Sequence, residues 1–69
     1  MKKYLIKRAD VDHYVTGIYR TSINISNDMG DAIELTNEED AKVIKKIVEE
    51  RSTYKYKIIC VELVITSIE

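Results

Sequence analysis

Thr36-Asn37-Glu38-Glu39-Asp40-Ala41-Lys42-Val43-Ile44-Lys45-Lys46-Ile47-Val48-Glu49-Glu50-Arg51 is the stretch that decides how this chain folds. Its first four residues match a capping box, in which the Thr36 hydroxyl accepts from a first-turn N–H and Glu39 reaches back to the Thr36 N–H. The pattern predicts a helix from Asn37 to Arg51. Ala41, Val43, Ile44, Ile47 and Val48 make one apolar stripe, with Lys42, Lys45, Lys46, Glu49 and Glu50 over the remainder. Glu38 precedes Lys42 by four positions, and Lys45 and Lys46 precede Glu49 and Glu50 by four. Such pairs contribute only tenths of a kcal/mol each. A helix with a single apolar stripe must lie on something, and the flanking segments read as a sheet.

Upstream, Tyr4-Leu5-Ile6-Lys7-Arg8 has the β-branched and aromatic content of a short strand, followed by a polar break at Asp10-Val11-Asp12-His13. From Tyr14 to Ser26 apolar and polar residues alternate, which predicts one half-buried strand, bulged or bent at Gly17. Asn27-Asp28-Met29-Gly30-Asp31 reads as a turn, with Gly30 in positive φ, and Ala32-Ile33-Glu34-Leu35 as a short strand. Downstream, Ser52-Thr53 is a linker and Tyr54 to Thr66 the last and longest strand. Seven of the eight residues from Ile58 to Ile65 are apolar, so this strand is expected to be central and buried on both faces.

These elements predict a single α+β domain over residues 1–69, in ββ(β)αβ order. It is a small antiparallel sheet of three to four strands with one helix packed on one face. One helix covers one face, so the other face is expected to need a partner. A homodimer through Ile59, Val61, Leu63 and Ile65 would bury it.

Sixty-nine residues, 45% of them apolar and none of them Phe or Trp, imply one aliphatic core with tyrosines at its margins. The lone Cys60 cannot form an intrachain disulfide and is expected as a buried, inert thiol, which fits a reducing, cytoplasmic setting. The N-terminal residues do not make a secretory signal, and the apolar runs are too short to cross a bilayer, so no membrane association is expected. One His and one Cys give no metal-ligand spacing, the two glycines make no phosphate loop, and no nucleophile has an evident base beside it. No cofactor, metal or catalytic residue is expected, and the chain reads as a binding protein rather than an enzyme.

Two kinds of partner remain. Tyr14, Tyr19, Arg20, Tyr54 and Tyr56 have the composition of protein-interface anchors. Alternatively Lys2, Lys3, Lys7, Arg8, Arg20, Lys55 and Lys57, interleaved with tyrosines, have the ingredients of a face that stacks single-stranded bases and tracks phosphates. A net charge of −1 and the lack of an RNP-type motif weigh toward the protein partner.

Tyr4-Leu5-Ile6-Lys7, Tyr14-Val15-Thr16-Gly17, Ala32-Ile33-Glu34-Leu35-Thr36-Asn37-Glu38-Glu39-Asp40-Ala41 and the closing Tyr56-Lys57-Ile58 together resemble the small accessory proteins of phages and prophages of low-GC Gram-positive bacteria. The resemblance spans most of the chain and rests on capping and patterning. It implies action by binding a host protein, with inhibitors of host defence, anti-CRISPR proteins among them, as one class. It carries over no catalytic residue.

Overall fold

The computed structural model describes residues 2–20 and 22–62. The elements are β1 (Lys2–Arg8), β2 (Tyr14–Ile18), β3 (Ile23–Ser26), a 3-10 turn (Met29–Asp31), α1 (Glu38–Arg51) and β4 (Tyr56–Glu62). They form one antiparallel sheet in the order β3-β2-β1-β4 with the helix against it, the α+β architecture that the patterning implies.

The alternating stretch from Tyr14 to Ser26 is a hairpin rather than one strand. It folds back where Tyr19 N donates to Ser22 O at 2.8 Å. Alternation of period two persists through both arms, so it cannot mark the turn between them. The ladder slips between Val15 and Gly17, the irregularity expected there.

The Asn27–Asp31 turn closes without positive φ at Gly30. Asp28 caps it instead, its Oδ1 accepting from Gly30 N at 2.9 Å. The following segment enters the sheet only in part. Tyr4 and Leu35 exchange backbone hydrogen bonds of 2.7 and 3.0 Å, and Ile33 N donates to Val15 O at 3.0 Å. It thereby fills the gap where β1 and β2 diverge beyond their Lys7–Tyr14 pairing.

The helix begins one residue later than the capping box implies. Asn37, not Thr36, is the N-cap, its Oδ1 accepting from Glu39 N at 2.8 Å. Both residues can cap, and a side-chain amide is at least as good a cap as a threonine hydroxyl. Ala41 and Val48 are buried and Ile44 and Ile47 half-buried, whereas Val43 is 57% exposed, on the flank of the stripe.

β4 corrects the largest expectation. It starts at Tyr56, leaving Tyr54 in the loop, and among the described residues it is an edge strand; β1 and β2 are the interior strands. Cys60 is accordingly exposed rather than buried, because an edge strand has the sheet on one flank only. Leu63, Ile65 and Thr66 lie outside the described residues.

Two apolar clusters sit on opposite faces, as the alternation of Leu5 with Ile6 and of Tyr14 with Val15 requires. Under the helix, Ile6, Val15 and Val48 are fully buried with Tyr56, and Ile18, Ile23, Ile33, Leu35 and Ile44 pack around them. On the other face, Leu5, Tyr14 and Ala32 are buried, with Ile59 and Val61 half-buried beside them. The segment around Ala32 covers part of the face that was expected to wait for a partner.

Candidate binding surface

Four segments converge at one end of the molecule: the β2–β3 turn with Tyr19 and Arg20, the helix end at Arg51, the loop carrying Tyr54, and the end of β1 at Arg8. Arg51 holds the first two together, its Nη1 donating to Tyr19 O at 2.5 Å. A cation at the last turn of a helix also complements the helix dipole. The Tyr19 ring lies over Gly17, where a Cβ would stand 3.1 Å from the ring. The absent side chain lets the ring lie there, and Tyr19 stays 56% exposed.

Arg8 fixes the loop. Its Nε and Nη2 donate to the Asp10 carboxylate at 3.0 and 2.7 Å, and its guanidinium carbon sits 3.5 Å from the centroid of the Tyr54 ring. Paired planar geometry and cation–π stacking suit Arg rather than Lys here. The hydrogen bond from Arg8 holds the Asp10 carboxyl below the usual range, and the same bond keeps the guanidinium more firmly protonated. Tyr54 remains 49% exposed. The next turn is anchored by Glu49, whose Oε2 accepts from Tyr56 N at 3.0 Å; that backbone N–H lowers the Glu49 pKa.

Between these parts lies an open cleft of about 320 Å³, floored by Ile23, Ile25 and Tyr56 and walled by Arg51, Ser52 and Tyr54. Of the five proposed anchors, Tyr54 lines it, Tyr19 is tied to its wall through the bond from Arg51, and Arg20, the next residue, is exposed. Tyr14 and Tyr56 are buried, one in each apolar cluster, and are core residues rather than anchors. Their rings lie among aliphatic side chains, and the Tyr56 hydroxyl reaches Ser52 Oγ at 3.4 Å. Sequence reading passed over Arg8 and Arg51 as members of this end; the available signals were the Arg8–Asp10 spacing and the cation closing the helix.

Three of the seven cations of the basic-aromatic reading are engaged. Lys3 pairs with Glu34 at 2.7 Å, Lys7 with Asp12 at 2.6 Å, and Arg8 with Asp10. Lys7 is 8% exposed, and its amine lies 5.9 Å from the Tyr14 ring centroid. Lys2, Lys55, Lys57 and Arg20 are exposed and make no ion pair among the described residues. Of the expected dimer residues, Ile59 and Val61 are half-buried on the face away from α1; Leu63 and Ile65 lie outside the described residues.

Among the described residues, no group of three or more His, Cys, Asp or Glu side chains could hold a metal ion, and no helix is long and apolar enough to cross a membrane. Compared with known protein families, curated proteins and solved structures, the chain matches none.

Proposed function

We propose that this chain is a non-enzymatic binding protein that holds a protein partner on the surface formed by Tyr19, Arg20 and Tyr54 around the Arg51 cleft. The observation that carries this reading is what burial and ion pairing leave free. Three of the seven cations of the nucleic-acid reading, Lys3, Lys7 and Arg8, are engaged by carboxylates, and two of its rings, Tyr14 and Tyr56, belong to the core. Phosphate tracking needs cations free to replace counterions. Half-exposed Tyr54 on the cleft wall, half-exposed Tyr19 joined to the cleft through Arg51, and exposed Arg20 beside it have instead the composition of protein-interface hot spots. In keeping with the resemblance to phage accessory proteins, the partner is a host protein, and a defence nuclease such as a CRISPR effector is the target class that resemblance implies.

Affinity capture from a low-GC Gram-positive lysate tests this. A specific protein should be retained by the wild-type chain and by Val43→Ala, and lost with Tyr19→Ala/Tyr54→Ala. Removing two hot-spot rings should weaken binding by roughly 2 kcal/mol or more. Binding to single-stranded oligonucleotides that falls steeply with salt would instead favour the nucleic-acid reading.

A further inference from the structure

We propose that the outer edge of β4 is a self-association site, at which two copies pair their β4 strands antiparallel about a two-fold axis through Cys60. This joins two four-stranded sheets into one and is independent of the Tyr19–Tyr54 surface.

The phase of the β1–β4 ladder determines which backbone groups face outward. Ala9 N donates to Lys55 O at 2.9 Å, so Lys55 turns toward β1. In an antiparallel ladder the direction alternates residue by residue, so Lys57, Ile59 and Val61 turn inward as well. Tyr56 points the other way, its N–H going to Glu49. Tyr4, directly opposite Cys60, commits both backbone groups to Leu35 on its far side, as the same phase requires. Ile58, Cys60 and Glu62 therefore present their N–H and C=O groups to the outer edge, where no hydrogen bond meets them among the described residues.

Sheet edges are normally blunted by proline, bulges, shortness or lysines. β4 has seven residues, and its register with β1 runs unbroken from Lys2–Glu62 to Arg8–Tyr56. It has no proline and a single lysine, Lys57. The opposite edge, β3, has four residues, Asn24 and Ser26 among them.

The apolar pattern of the strand selects a second copy of β4 as the occupant, because Ile59 and Val61 lie on one face two positions apart and match each other about a two-fold axis. A two-fold axis perpendicular to the sheet also keeps each face continuous across the junction. With the axis at Cys60, Ile59 of each copy lies opposite Val61 of the other. That pairing covers the two half-buried residues on the face away from α1. The two Cys60 residues form a hydrogen-bonded pair whose Cα atoms lie about 5.5 Å apart, within disulfide reach.

Sedimentation at micromolar concentration should give twice the 8.0 kDa chain mass. Cys60→Pro removes only an outward N–H, so it should give a folded monomer, with circular dichroism and melting retained. Val61→Lys, which places a cation against the Ile59 of the second copy, should do the same and stands in if the proline variant does not fold. Diamide, which takes up the two thiol hydrogens, should link wild-type dimers through Cys60 and leave Cys60→Ser unlinked. A wild-type monomer, a folded variant that stays dimeric, or a dimer that resists linkage at Cys60 would each overturn the proposal.

Discussion

The two faces of the sheet are made by the same strands, residue alternating with residue, yet they are closed by different means. Under α1, Ile6, Val15 and Val48 are sealed completely among branched aliphatic side chains. On the other face Leu5, Tyr14 and Ala32 are closed by a returning segment, with the buried stem of Lys7 beside the Tyr14 ring and its amine held by Asp12. Beside Leu5 and Val61 an open hollow of about 230 Å³ remains, rimmed by Lys3, Met29 and Glu34. A second helix is therefore not needed to cover a small sheet. A short segment and amphipathic lysine stems can close half a face, and the other half stays available.

Paired truncations should measure that difference. Ile6→Ala, in the sealed face, should cost about 3 kcal/mol, and Leu5→Ala roughly half as much, because its rim can collapse into the hollow. Urea midpoints read both values, and equal losses would mean that the two faces are equally closed. A smaller effect tests what starts the helix over the sealed face. Asn37→Ala should lower stability by about 1 kcal/mol, while Thr36→Ala should change it by a few tenths. The reverse order would restore Thr36 as the cap. The smallest effect belongs to the open face, where the hydrogen bond from Lys7 holds the Asp12 pKa low. A carboxyl with a depressed folded pKa stabilises the fold above its unfolded value of about 3.9 and loses that contribution as pH falls through the folded value. Melting midpoints should therefore decline less between neutral pH and strong acid for Asp12→Asn than for wild type. Parallel curves would show that the Lys7 pair contributes nothing.

Local chemistry was legible in the sequence, and long-range pairing was not. The helix could be read because its cap, stripe and end lie within sixteen consecutive residues, and the bulge at Gly17 because a residue without a side chain is a local signal. Adjacent Thr36 and Asn37 both carry capping chemistry, so position alone could not choose between them. The place of β4 depends on which strands flank β1, and the apolar run from Ile58 to Val61 is equally compatible with a centre and an edge. Misplacing that strand carried Cys60 into the core with it. Tyr14 and Tyr56 read as anchors in the sequence because a tyrosine suits a rim or a margin of the core equally well. Of the binding surface, Tyr19, Arg20 and Tyr54 were legible from composition, whereas Arg8 and Arg51 join it only through tertiary bonds to Asp10 and to the Tyr19 carbonyl.

The register of β1 against β4 also sets a timetable. β1 is the first of the described elements and one of the two interior strands of the sheet, but its seven-residue pairing is with the last element described, from Lys2 opposite Glu62 to Arg8 opposite Tyr56. On a ribosome the hairpin and helix can form early, while β1 waits with one flank bare until β4 emerges. Closing so long a loop costs entropy before any ladder bond repays it. The emergence of β4 is then the event that commits the chain to its fold, and a stall before it would leave an apolar strand open to chaperones or to its neighbours.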